Sequence, residues 1–130
     1  MTASLQPAFL TNLAIILLGV LLNAAGQLAL KQGARLMGPV ALAPAELFGA
    51  GLSAALNPYI WLGLCCYVIS VGVWIVALSR VDVSLAYPML SIGYIVTALA
   101  ASAWFGEELN PTRIAGIVVI IIGVVLISRS

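Results

Sequence analysis

Nine charged residues punctuate this chain, and the intervals they leave free decide what it can fold into. Lys31, Arg35, Glu46, Arg80, Asp82, Glu107, Glu108, Arg113 and Arg129 all fall at the ends of four apolar runs or between them. The runs extend from about Ala8 to Gln32, Pro58 to Ser79, Val83 to Phe105 and Pro111 to Ser128. Each is near the roughly 20 residues that a helix needs to cross a hydrocarbon core of about 30 Å. Hydrocarbon offers no partner for a backbone N–H or C=O, so a spanning segment must satisfy both internally, which makes it a helix. The expectation is an all-α integral membrane protein, with residues 1–130 forming one domain of four transmembrane helices.

Composition agrees. Hydrophobic residues make up 64% and charged residues 7% of the chain, with a mean hydropathy of +1.22. A soluble domain carries about 25% charged residues. The net charge of +1 argues against nucleic acid as a partner. There is no histidine, and no nucleophile–base pair or set of metal ligands can be assembled from the spans, so an enzyme, a cofactor and a metal are not expected. Cys65 and Cys66 are adjacent within an apolar run and read as small core hydrophobes rather than a disulfide or metal pair. The first run lacks a basic flank and is long for a signal peptide's apolar region, so it is expected to be a span.

The boundaries carry helix start signals. Asn57-Pro58 and Asn110-Pro111 each offer an N-cap followed by proline at the first helical position, and Asp82 can cap the third run. The link from Gly33 to Asn57 contains PAELFGAGLSAAL, compatible equally with a short interfacial helix and with an irregular apolar loop. The turn around Arg80, Val81 and Asp82 is tight, which predicts the second and third spans as antiparallel neighbours. Four spans put Arg80 and Arg129 on one side and Lys31, Arg35 and Arg113 on the other, a weak bias toward a cytoplasmic Lys31 side that leaves dual insertion open.

Polar residues inside the spans are costly unless bonded or used. Asn23, Gln27 and Lys31, at steps of four, share a helical face with Asn12, and Gly19 and Gly26 lie close to it. These amides either bond helices together or meet a ligand, and Lys31 either snorkels to the headgroups or meets a phosphate there. Ser84, Tyr87, Ser91 and Tyr94 form a second stripe, interrupted by Pro88, which removes a backbone donor and predicts a kink. Tyr67, Ser70 and Trp74 make a weaker line in the second span. Gly116 and Gly123, seven apart in an almost wholly aliphatic fourth span, suit close packing against another helix, such as that of a second protomer. Four helices alone make a thin wall, so a polar pathway forms more readily between two chains.

GQLALKQ in the first span, SLAYPMLSIGYIVTAL in the third and GEELNPTRIAGIVVIIIGVVLI through the fourth resemble the drug/metabolite transporter superfamily. Size and span number are similar to its small multidrug resistance family, and the GQ-x-x-x-KQ and AYPML patterns to the small subunits of aminoarabinose–phosphoundecaprenol flippases. The resemblance implies a small multidrug resistance-like bundle in the bacterial inner membrane, working as a homodimer or as a heterodimer with a similar small subunit. Drug exporters of the family carry a glutamate three positions before the glycine matching Gly26, and this chain has Asn23 there. An amide neither exchanges a proton near neutral pH nor offers charge to a cationic drug. Tyr87 matches the tyrosine lining the drug site, and Glu107 falls at the superfamily's G-E position.

This departure favours translocation of an undecaprenyl-phosphate-linked aminosugar or a related lipid-linked substrate. Asn23, Gln27, Trp74, Tyr87, Ser91 and Tyr94 would contact the sugar, Lys31 the phosphate, and Arg35, Arg80 and Glu107 the headgroup region. The alternatives are an exporter of hydrophobic small molecules and a non-transporting partner subunit of a membrane complex.

Overall fold

The computed structural model describes residues 7–130 as six helices: α1 (Pro7–Met37), α2 (Pro44–Ala55), α3 (Pro58–Leu78), α4 (Val83–Met89), α5 (Ser91–Phe105) and α6 (Pro111–Ser128). Four segments are long and apolar enough to cross a membrane: α1, α3, the α4–α5 pair taken together, and α6. The fold is all-α, as the apolar runs predict.

At 31 residues, α1 is about 46 Å long and reaches past the hydrocarbon. It continues beyond Gln32 because nothing breaks it before Gly38, whose positive φ of 76° ends the helix while its N–H bonds back to the carbonyl of Ala34 at 3.1 Å. The PAELFGAGLSAAL segment is helical over Pro44–Ala55, with proline in the first turn. This helix, α2, buries none of its residues in the chain and leaves Leu47, Phe48 and Leu52 exposed, a face suited to lipid.

Asn57 and Asn110 cap as expected: their Oδ1 atoms accept from the backbone N–H of Tyr59 at 3.0 Å and of Arg113 at 2.9 Å. Asp82 differs. It occupies the N-cap position of α4, but its exposed side chain makes no capping bond; its backbone carbonyl takes the N–H groups of Leu85 and Ala86 instead. Near Pro88, where a kink is expected, the helix is interrupted as the division between α4 and α5. Leu90 keeps helical dihedrals there, with φ −56° and ψ −24°, and tight three-residue bonds run from Leu90 N–H to Tyr87 O and from Gly93 N–H to Leu90 O.

The packing departs from the expectation drawn from the Arg80 turn. α3 lies along α1, and α5 packs on another side of α1, while α3 and α5 share no Cα pair within 8 Å. The second and third spans therefore meet only near their turn. Glycines cause this. A Cβ on Gly63 would sit 2.9 Å from the Gly26 carbonyl oxygen, and one on Gly26 would sit 3.0 Å from that of Gly63, so the α1 and α3 backbones touch. Gly19 and Gly33, each seven residues from Gly26, continue the contact against Val73 and Ile60, and Asn57 Nδ2 donates to the Gly33 carbonyl at 3.0 Å. On the other side, Gly93 brings α5 against Val20. Ile16, Val20, Ala77 and Met89 form the buried core near the Arg80 end. α6 leans on α4 and α5 and has no buried residue. Cys66 packs near Gly26, but Cys65 is exposed rather than in a core, because the face of α3 that meets α1 is the Gly63 face; both thiols are free.

Candidate functional site

Because α1 separates α3 from α5, the two outer helices form the walls of a cleft with α1 as its floor. The cleft encloses about 550 Å³. Asn23 and Gln27 lie on the floor, Tyr67 on the α3 wall, and Tyr87, Tyr94 and Thr97 on the α4–α5 wall. Tyr87 and Tyr94 are 62% and 66% exposed, so in the single chain the cleft is open along its side between α3 and α5. A recess of about 190 Å³ adjoins it between α1 and α3, where Trp74 and Ser70 lie beside Gly19 and share Asn23, Tyr67 and Tyr87 with the main cleft. The Ser70 hydroxyl is spent on its own helix, donating to the Tyr67 carbonyl at 2.6 Å.

The amides are the decisive feature. Among the described residues, neither Asn23 nor Gln27 has a side-chain hydrogen-bond partner, and no buried side-chain polar atom lacks one. Among the described residues these amides do not bond helices together. They present donors and acceptors to the cleft, whose lining among the described residues carries a single charged side chain, Glu107.

Charge appears at Lys31, one turn beyond Gln27 and two beyond Asn23 along α1. Gly106 ends α5 in the left-handed conformation, φ 68°, which a glycine adopts without strain, and turns the chain back toward α1. The following residue, Glu107, then pairs with Lys31, Nζ to Oε1 at 3.4 Å. Half-exposed pairs of this kind contribute about 0–1 kcal/mol, so the contact opens readily. Glu107 lines both the cleft and a mouth cavity of about 390 Å³ that also holds Lys31, Arg35 and Phe105. The Arg35 guanidinium sits over the Phe105 ring, 5.5 Å from its centroid.

The structure thus gathers Asn23, Gln27, Tyr87 and Tyr94 in the cleft, Trp74 in its recess, and Lys31, Arg35 and Glu107 at its mouth. Ser91 does not line the cleft, because α5 is rotated to bring Gly93 against Val20. Thr97 does line it; it lies three residues beyond Tyr94 on the stripe read from sequence. Tyr67 was legible only as part of the weaker line. Arg80 is not at the mouth: its Nε donates to Asn12 Oδ1 at 2.8 Å, near the far end of α1 and about 28 Å from Lys31 by helical rise. Glu107 faces Lys31, a role suited to a cation rather than a phosphate. Gly116 and Gly123 lie on α6, and a Cβ at either would meet nothing within 4 Å.

Four spanning helices around a laterally open, hydrogen-bonding cleft define a multi-pass membrane transporter. The chain belongs to the EamA-like transporter family, whose description matches residues 3–129. It is 33% identical over 125 residues to a probable 4-amino-4-deoxy-L-arabinose-phosphoundecaprenol flippase subunit ArnF of Shewanella sediminis, an alignment covering 89% of this chain and 86% of the relative. It is 35% identical to a probable ArnF subunit of an Enterobacter species, covering 85% and 89%. A probable ArnE subunit from Pseudomonas savastanoi is 33% identical, with 65% of this chain and 74% of the relative aligned. No solved structure matches. The family and the spans make this a transporter of the bacterial inner membrane rather than an enzyme.

Proposed function

We propose that this chain is one subunit of a flippase that carries an undecaprenyl-phosphate-linked aminosugar, or a closely related lipid-linked sugar, across the inner membrane. The observation that carries this reading is the pair of unpartnered amides in a laterally open cleft. Neutral hydrogen-bonding groups suit sugar hydroxyls, and the open side lets a polyprenyl tail stay in lipid while the headgroup moves. Tyr67, Tyr87 and Tyr94 add aromatic faces and hydroxyls for a sugar ring. An exporter working by proton exchange needs a titrating group at this depth, and Asn23 is not one.

The relatives are named as flippase subunits, which supports a working unit of two chains. α6, with Gly116 and Gly123 open, is the helix left for the second chain, identical or similar.

Photocrosslinking tests this reading. A photoreactive phenylalanine replacing Tyr94 should capture radiolabelled polyprenyl-phosphate aminosugar in membranes, whereas the same group replacing Val119, exposed on α6, should not. Equal capture from both positions would overturn it.

A further inference from the structure

Among the described residues, Glu107 is the only charged one lining the main cleft, and it stands between that cleft and the mouth cavity, which holds Lys31 and Arg35. The pair it forms with Lys31 is long, at 3.4 Å, and open to solvent on both sides, with side chains 52% and 42% exposed. Arg35, stacked on Phe105 in the same cavity, leaves a second cation beside Lys31. One anion therefore faces inward and two cations lie outward, held together by a contact that costs little to break.

We infer that the Lys31–Glu107 pair is an exchange site that selects a zwitterionic headgroup, one bearing both an ammonium and a phosphate. The inference rests on the flippase reading above and adds the residue that reads the amine. An entering headgroup splits the pair: its ammonium takes Glu107 on the cleft side, and its phosphate takes Lys31 together with Arg35 on the mouth side. Each charge that loses its partner gains another, so the exchange keeps every ion paired, and because the starting contact is weak and half-exposed the new pairs need replace little. A headgroup with phosphate but no ammonium leaves Glu107 without a cation and beside the arriving phosphate. That arrangement is penalised by like-charge repulsion as well as by the lost pair. Glu108 does not substitute, since it lines neither cavity.

Two lipids test this: an undecaprenyl-phosphate-linked 4-amino sugar, and the same lipid with its amine N-formylated and so neutral. Binding is measured on protein purified from its own membrane with any subunit that accompanies it, placed in nanodiscs. The wild type should prefer the amino lipid by about tenfold or more, the effect of one charge-assisted contact. Glu107→Gln should erase the preference and leave affinity for the formylated lipid unchanged or improved. Lys31→Gln should weaken both lipids by a similar factor. Both lipids bound equally by the wild type, or a preference retained in Glu107→Gln, would overturn the exchange site while leaving the flippase reading standing. Binding of neither lipid would overturn both.

Discussion

Gly63→Ala is the sharpest structural perturbation available, because the cleft exists only while α3 is held against α1 and away from α5. The added Cβ would lie 2.7 Å from Leu30 Cγ and 2.9 Å from the Gly26 carbonyl oxygen, where ordinary contact begins near 3.4 Å. Leu30 can rotate aside, but the carbonyl is backbone and yields only if α1 and α3 separate by about 0.5 Å. Overpacking of this kind costs about 1–3 kcal/mol, offset by roughly 0.5–1 kcal/mol of improved helix propensity. The net expectation is a loss of about 0–2.5 kcal/mol, or about 1–3 kcal/mol relative to an unobstructed glycine-to-alanine change, which equilibrium unfolding of the purified chain in mixed micelles can resolve by tryptophan fluorescence. Trp74 reports directly, since it lies against Gly19 at the same helix contact. Gly72→Ala is the control: it lies on the same helix, and nothing comes within 4 Å of its Cβ position, so propensity alone should leave it neutral or slightly stabilising. Gly63→Ala as stable as Gly72→Ala would refute the backbone contact at Gly26 and Gly63, and with it the reason the cleft is open.

Other perturbations separate structure from transport. Asn57→Ala removes both the cap on Tyr59 and the bond to the Gly33 carbonyl, and should cost about 1–2 kcal/mol in the same unfolding assay; Asn57→Asp, which keeps only the cap, should recover part of that. Arg80→Ala breaks an exposed bond to Asn12 far from the mouth, and should change stability by about 0.5 kcal/mol or less and leave lipid translocation unchanged. Pro88→Ala restores a backbone donor at the bend between Tyr87 and Tyr94. Circular dichroism should show helix content equal or higher, while translocation falls because the two tyrosines no longer face the cleft together.

The spans were legible because length and hydropathy are local properties, and so were the caps at Asn57 and Asn110, where proline follows the capping amide. The pairing of helices was not. The tight turn at Arg80 suggested that the second and third spans run side by side, but where α3 lies is set by Gly26 and Gly63, residues far apart in sequence. Gly19 and Gly26 were visible beside the amide stripe, yet nothing local says which helix meets them. Of the stripe read on the third span, Tyr87 and Tyr94 line the cleft while Ser84 and Ser91 do not, and Gly93 seats on Val20, a contact that no helical wheel contains. Arg80 and Lys31 were separable by counting spans, and their distance follows from the length of α1. The meeting of Lys31 with Glu107 depends on the left-handed turn at Gly106, which a G-E dipeptide permits but does not announce.

The central claim, that a cleft floored by neutral amides carries a lipid-linked aminosugar headgroup, is tested most directly by translocation in intact cells. A membrane-impermeant amine-reactive reagent counts aminosugar lipid reaching the outer face of the inner membrane. With the chain present at wild-type level, replacing both floor amides with apolar residues of similar size, Asn23→Leu together with Gln27→Met, should lower the labelling rate about tenfold or more. A rate equal to wild type in that double variant would contradict the account.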